Sequence, residues 1–286
     1  MKRKLFILSL AILLVAFLVG VWTAGAVLVA PVHHSVGDPP GELSARKVQF
    51  DSRSGATIHG WFIPGKKNAG AIILMHGVRA DRLSMLDRAR FLSKAGFSVL
   101  LFDFQAHGES SGEHITFGYL ESRDAQAAVD FLRINAPGEK IGVVGVSMGG
   151  AAALLASPPL DVNAMVLEMV YPNINQAVSN RLSMRVGAWG TVFTPLLVWQ
   201  LKPRLGISAD ALTPIEKVGG ITIPKLFIAG AEDRHTTLRE SEQMFAAAAE
   251  PKELWIVEGA QHTDLYAEKE QEYEQRVLRF FQTALR

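Results

Sequence analysis

From residue 71 onward, short apolar runs alternate with longer amphipathic stretches, and few folds accommodate that alternation. The apolar runs, which have the pattern of buried strands, cover residues 71–75, 97–102, 141–144, 164–167, 225–228 and 254–257. Helical patterns occupy most of the intervals, over residues 82–95, 121–135, 149–156, 238–249 and 267–285. Strands that are apolar throughout and separated by helices are typical of a mostly parallel sheet with helices on both faces. We therefore predict an α/β protein.

The remaining segments complete the predicted organisation. Two strand-like runs, over residues 47–51 and 57–63, form a hairpin signal before the alternation begins. Residues 31–44 are rich in proline and glycine, which predicts a linker, and one domain is expected over residues 45–286. Within that domain, a long interval over about residues 171–220 carries no strand pattern.

The N-terminus has the pattern of a membrane segment. Residues 5–30 contain no charged side chain and follow a basic cluster at residues 2–4. As a helix this stretch spans ~39 Å, more than the ~30 Å of bilayer hydrocarbon, and it exceeds the ~7 to 15 residues of a signal-peptide core. We predict that residues 1–30 are a transmembrane anchor, with a cleaved signal sequence as the alternative because residues 24–26 are small. The basic cluster is expected in the cytoplasm, which places the domain on the extracytoplasmic side, or secreted or periplasmic after cleavage.

Composition excludes several classes of function. The chain has 49% hydrophobic residues, enough for a large core, so general disorder is excluded. Its 29 basic and 28 acidic residues are nearly balanced, which argues against nucleic-acid binding. With no cysteine, it has no disulfide, thiolate metal site or cysteine nucleophile. No ligand cluster supports metal catalysis, and we predict no cofactor.

A serine motif lies where the third of these buried runs ends. Gly145-Val-Ser147-Met-Gly149 has the form G-x-S-x-G, after an apolar run and before a helix of small residues. A nucleophile elbow needs this strand–turn–helix setting, because the serine is strained and only small neighbours let the turn tighten. The alternative is an ordinary glycine-rich turn. As a nucleophile, Ser147 needs a base.

Chain order selects the base and the acid. His262 follows the last predicted strand, and the histidine of such a site is expected last, after the serine and the acid. Asp233, directly after the strand over residues 225–228, is the predicted acid that orients the imidazole. Glu168 and Glu232 are rival acids, and Asp233 as a turn cap is the alternative interpretation.

An acyl-transfer site also needs hydrogen-bond donors for the developing oxyanion. The backbone N–H of Met148, the residue after the serine, is one predicted donor. The backbone N–H of Val78, in the loop after the run over residues 71–75, is the other. His76 in that loop is either a loop residue of the site or a buried turn histidine, and we assign it no proton transfer.

These motifs resemble the α/β-hydrolase superfamily, and within it the serine-hydrolase branch called serine aminopeptidase S33-like or BEM46-like, in its membrane-anchored bacterial type. The resemblance runs from Lys47 to the C-terminus and is carried by residues 76–77, 103–112, 145–150, 230–233 and 259–262. It implies an eight-stranded, mostly parallel sheet with an antiparallel second strand, and a lid after strand six. It also implies a triad of Ser147, Asp233 and His262. Gln105-Ala106 replaces the Arg-Gly that is usual in this family.

The lid composition suggests a substrate class. Residues 171–206 are rich in apolar side chains and contain no acid, which favours a serine esterase of apolar acyl groups, with a small-molecule or lipid-like ester as partner. The apolar side chains equally fit packing on the core, a partner or a bilayer surface. Four basic residues have the pattern of lipid-headgroup ligands or of solvated helix faces: Arg181, Arg185, Lys202 and Arg204. A peptidase or amidase, and a non-catalytic scaffold that binds through the lid, are the alternatives.

Overall fold

An eight-stranded sheet forms the centre of the structure, a computed structural model that describes residues 2–285. Its strands are β1 (Arg46–Asp51), β2 (Thr57–Ile63), β3 (Ala71–Met75), β4 (Ser98–Phe102), β5 (Ile141–Val146), β6 (Ala164–Glu168), β7 (Lys225–Gly230) and β8 (Lys252–Val257). The strand order is β1-β2-β4-β3-β5-β6-β7-β8. Strand β2 runs antiparallel to both β1 and β4, and the other pairs are parallel. This architecture confirms the predicted α/β-hydrolase fold.

Apart from the N-terminal helix, the helices connect or follow the strands and cover both faces of the sheet. They are α1 (Lys2–Val29), α2 (Leu86–Lys94), α3 (Glu121–Asn135), α4 (Met148–Leu155), α5 (Ile174–Val186), α6 (Thr194–Val198), α7 (Leu201–Leu205), α8 (Pro214–Val218), α9 (Leu238–Ala247), α10 (Leu265–Glu268) and α11 (Glu270–Ala284). Short 3-10 turns cover Gly41–Leu43, Arg82–Met85, Ala188–Phe193 and Ala209–Leu212. Helices α5 to α8 form the small helical lid predicted after the sixth strand.

Two hydrophobic cores explain why the central strands are apolar at every position. Ile73 and Met75 of β3 pack with α3 and α4 on one face, whereas Ile72 and Leu74 pack with α2 and α11 on the other. Because successive side chains of a strand point to opposite faces, both faces of a covered strand must be apolar. The absence of polar alternation in the sequence has this physical cause.

The N-terminal helix α1 projects from the domain and returns to it at its C-terminal end. Its side chains are exposed from residue 2 to residue 20, while Gly25 and Val29 are buried. Among residues 2–285, α1 is the one helix that is long and apolar enough to cross a membrane. The segment predicted as a linker lies on the domain, since Val32–His33 pairs in parallel with His107–Gly108.

A buried ion pair joins α2 to the carboxyl end of β6. The guanidinium of Arg88 donates to both carboxylate oxygens of Glu168, at 3.0 and 2.7 Å, and contacts Asp264 at 2.8 Å. The hydroxyl of Tyr273 donates to Glu168 at 2.5 Å. Burial raises the pKa of Tyr273 well above its ordinary value, so this hydroxyl keeps its proton. Arg88 and Glu168 are almost completely shielded from solvent.

We expect Arg88→Met to lower the free energy of unfolding by about 3–5 kcal/mol, because it leaves the carboxylate of Glu168 buried without its cation. Arg90→Met is the matched control on the same helix. Arg90 is half exposed and pairs with Glu42 and Asp87, so its loss is expected to cost less than about 1 kcal/mol. Urea unfolding of the two variants measures the difference, and equal losses would contradict this account of the buried pair.

Candidate active site

Ser147 lies at a sharp turn between β5 and α4. Its backbone has φ 49° and ψ −108°, in the left-handed region that L-residues seldom adopt. The turn closes because the neighbouring glycines let backbones meet: a Cβ at Gly145 would lie 2.6 Å from the Cα of Gly150, and one at Gly149 would lie 2.3 Å from the carbonyl oxygen of Met75. The strand–turn–helix setting predicted from the motif is therefore present.

His262 and Asp233 meet at the carboxyl ends of β7 and β8. The Nδ1 of His262 lies 2.6 Å from the Oδ2 of Asp233. The other carboxylate oxygen of Asp233 accepts the backbone N–H groups of His235 at 2.7 Å and Thr236 at 3.0 Å. Because an ionised carboxylate oxygen can only accept, Nδ1 of His262 is the donor in this contact, and the fixed carboxylate orients the ring.

Ser147 and His262 line the same cavity, whose volume is about 380 Å³. Val78 and Arg181 also line it. Within residues 2–285 no hydrogen bond joins the hydroxyl of Ser147 to His262. A serine–histidine hydrogen bond is often long in a site without substrate and tightens in the reacting complex.

The two rival acids, Glu168 and Glu232, have contacts other than His262. Both carboxylate oxygens of Glu168 are bound to Arg88, and one also accepts the hydroxyl of Tyr273. Glu232 is exposed, and its backbone N–H donates to the carbonyl oxygen of Ala260 at 2.8 Å. Of the three acids considered from the sequence, Asp233 is the one whose carboxylate contacts the imidazole.

Two neutral histidines fix the loop that carries Val78. His76 places Nδ1 2.7 Å from the carbonyl oxygen of Gly77, and its Nε2 accepts the backbone N–H of Phe104 at 3.0 Å. Burial, together with nearby His107, lowers the pKa of His76 to about 3. His76 is thus a buried turn histidine, one of the two interpretations open from the sequence.

His107 supports the same loop from the other side. Its Nε2 accepts the backbone N–H of Arg79 at 3.0 Å, and its Nδ1 lies 2.8 Å from the carbonyl oxygen of Gln105. Burial lowers its pKa, which keeps Nε2 free to accept.

The two predicted oxyanion donors have unpaired N–H groups. Within the described chain the N–H of Val78 has no acceptor, and Met148 begins α4, where an amide lacks an intrahelical acceptor. Both predicted oxyanion donors are therefore free to bind a ligand.

Sequence reasoning missed His235. Its ring centroid lies 4.9 Å from that of His262, and burial followed by the charges of His262 and Arg181 lowers its pKa. One ligand atom each from Asp233, His235 and His262 lie within 4.8 Å of one another, a geometry compatible with a metal ion. No spacing motif marks this group, because it forms from two loops that are distant in the chain.

A second, larger cavity begins at Ser147 and extends under the lid. Its volume is about 520 Å³, and Ser147, Met148 and Val78 line one end. The rest of the lining is mostly apolar, with three arginines: Arg79, Arg181 and Arg185. Ser147 thus borders both cavities, which is an arrangement suited to a substrate with two substituents on one central group.

Gln105, which stands where the family usually has arginine, forms its own hydrogen bonds in the loop. The side-chain amide of Gln105 donates to the carbonyl oxygen of His114 at 2.6 Å and to Glu121 at 2.8 Å. Glu121 in turn accepts the N–H groups of Thr116 and Gly118. A buried glutamine therefore ties this loop to α3.

Comparison with known proteins agrees with the fold. A family model described as serine aminopeptidase, S33 matches residues 66–209, half of the chain. The chain is 26% identical to the uncharacterized protein YqkD of Bacillus subtilis, over 86% of this chain and 82% of that protein. It is similar to the Pyrococcus furiosus esterase Pf2001 (TM-score 0.73, 25% identity, 91% of this chain and 99% of that one). It is also similar to the hypothetical protein PA2218 of Pseudomonas aeruginosa (TM-score 0.63, 26% identity, 88% and 97%).

We expect the ring of His76 to stay neutral, with its proton on Nδ1, when the folded protein is titrated from pH 8 to pH ~4. Because the unfolded chain binds this proton at an ordinary pKa of about 6.5, the free energy of unfolding should fall as pH drops from about 6.5 toward 3. Long-range ¹H–¹⁵N NMR measures the ring state, with the urea-unfolded chain as control. Titration of folded His76 near pH 6.5 would contradict the buried, neutral state.

Proposed function

This chain belongs to the serine aminopeptidase S33 family of α/β hydrolases, and we propose that it is a serine hydrolase of carboxylic esters. Ser147 is the proposed nucleophile, His262 the base and Asp233 the acid that orients it. The backbone N–H groups of Val78 and Met148 are the proposed oxyanion donors. The observation that carries the proposal is the 2.6 Å contact between His262 and Asp233 at a cavity that Ser147 also lines.

The proposed reaction has two halves. The hydroxyl oxygen of Ser147 attacks the ester carbonyl carbon while the Nε2 of His262 takes its proton, and Asp233 stabilises the resulting imidazolium. The oxyanion accepts from Val78 and Met148, and as the intermediate collapses the alcohol leaves with the proton from His262. A water then attacks the acyl–serine, again with His262 as base, and releases the carboxylic acid and Ser147.

The charges of the cavities favour an ester over a peptide with a free amine terminus. Among the described residues that line the larger cavity, three are arginines and none is acidic. In the smaller cavity, the carboxylate of Asp264 is paired with Arg88. An ammonium group would lack an unpaired carboxylate there and would meet like charges, which is unfavourable in a partly enclosed site. The alternative of an aminopeptidase is thus disfavoured.

We also propose that α1 anchors the enzyme in a membrane, with residues 2–4 in the cytoplasm and the hydrolase domain on the other side. The support is the length and apolar composition of α1 and the exposure of its first 19 described residues. A cleaved signal sequence, which would leave a secreted or periplasmic enzyme, is the alternative. The domain over residues 45–286, with its lid at 171–220, is proposed as the catalytic unit.

We expect a fluorophosphonate probe to label the wild-type chain and to fail with Ser147→Ala and His262→Ala, because the probe needs an activated serine. Ester turnover should fall on the order of 10⁴-fold to 10⁶-fold in both variants. His59→Ala, a half-buried histidine on β2, is the matched control and should be labelled normally. Labelling that persists in Ser147→Ala would refute Ser147 as the nucleophile.

Two acid variants distinguish Asp233 from Glu168. Asp233→Asn should lower kcat roughly 10⁴-fold, because an amide no longer holds the imidazole in the required tautomer. Glu168→Gln should lower the unfolding temperature, because it disturbs the buried pair with Arg88, while kcat of the folded enzyme changes by less than about tenfold. Steady-state ester hydrolysis and thermal unfolding of both variants give the comparison, and the reverse pattern would assign the acid role to Glu168.

A further inference from the structure

The larger cavity has an unusual wall, since part of it is the N-terminal helix. At one end the cavity reaches Ser147 and Met148, and at the other it is lined by Gly20, Thr23 and Ala24 of α1. A volume of about 520 Å³ lies within the usual range for small-molecule sites, and most of the lining is apolar. The helix with membrane-anchor composition and the candidate nucleophile therefore border one space.

Specific contacts hold α1 against the lid. The side-chain amide of Gln200 donates to the backbone carbonyl oxygen of Val21 at 3.0 Å. Arg204 donates to the carbonyl oxygen of Trp22, and its guanidinium carbon lies 3.9 Å from the centroid of the indole. Gly25 permits this approach, because a Cβ there would lie 2.2 Å from the amide oxygen of Gln200. The end of α1 is thus fitted to the lid.

The contacts between α1 and the lid lie at the height along α1 where the helix would leave the hydrocarbon of a bilayer. Residues 2–20 of α1 are exposed, and as a helix they span roughly 28 Å, close to the ~30 Å of membrane hydrocarbon. The part of α1 that lines the cavity begins at Gly20, the last residue of this uninterrupted exposed stretch. Beside it the lid exposes large apolar side chains, with Trp189 85% and Trp199 66% exposed, and Phe193 lies 5.5 Å from Phe17 of α1 between ring centroids.

We propose that α1 forms one wall of the acyl-binding site and that the substrate is a membrane-borne ester with a long aliphatic acyl chain. The chain lies along Gly20, Thr23 and Ala24 with its carbonyl carbon at Ser147, and the alcohol portion occupies the smaller cavity beside His262. This inference rests on the proposed ester hydrolysis. It assigns α1 a role in substrate selection as well as in anchoring.

The test uses the full chain in lipid nanodiscs, with p-nitrophenyl butyrate and p-nitrophenyl dodecanoate as substrates. Each buried methylene is worth roughly fourfold in affinity, so wild type should prefer the dodecanoate by about tenfold or more in kcat/KM. Ala24→Phe fills the cavity, and it should lower kcat/KM for the dodecanoate about tenfold while the butyrate value changes less than about twofold. Ala11→Phe, the same change at an exposed position of α1 outside the cavity lining, is the control and should alter neither value.

Gly20→Phe is the second variant, because Gly20 lines the other end of this wall. A Cβ at Gly20 meets no atom within 4 Å, so the larger side chain causes no clash at the backbone, and the helix gains a better helix former. The same selective loss in both filling variants supports the acyl wall. Equal losses on the two esters, or no loss on either, would overturn it. If wild type cleaves neither ester, or if cleavage survives in Ser147→Ala, the proposed hydrolase function fails first, and that outcome is distinct from a loss of chain-length selectivity.

Discussion

The parallel register of β5 to β8 is the constraint on which the site depends. Val146 pairs with Glu168, Glu168 with Ile228, and Gly230 with Val257, so the carboxyl ends of the four strands lie side by side. The loops after β5, β7 and β8 therefore emerge at one edge, and they carry Ser147, Asp233 and His262. Ser147 and His262 are 115 positions apart in the chain, and they come together because the hydrogen-bonded ladder of parallel strands sets the spacing of these loops.

The buried polar groups beside this edge are either paired with an opposite charge or neutral. Glu168 leaves β6 beside the serine turn, yet Arg88 and Tyr273 satisfy its carboxylate, so it stabilises the base of the site. The loop of Val78 is supported by His76 and His107, whose pKa values burial lowers, so that each ring accepts a backbone N–H. Unpaired buried charge is costly, and both arrangements avoid it beside the candidate site.

The sequence predicted strands and helices well where packing imposes a simple period. The run at Ala71–Met75 is buried on both faces, and its lack of polar residues was enough to predict a central strand. Residues 31–44 were predicted as a linker from proline and glycine content, but Val32–His33 pairs with His107–Gly108 in the structure. Composition could not indicate this pairing, because a two-residue ladder depends on a partner loop about 75 positions away.

By itself the sequence determined the fold class and the turn that carries Ser147, because hydrophobic periodicity and glycine spacing are local properties of the chain. It predicted Asp233 as the acid but left Glu168 and Glu232 as rivals, and it did not identify His235 as part of the site. Tertiary structure decided the contacts of these residues, since Glu168 is paired with Arg88 while Asp233 contacts His262. It also decided that the end of α1 borders the cavity of Ser147, a proximity that depends on how the lid helices pack and is encoded in no local pattern.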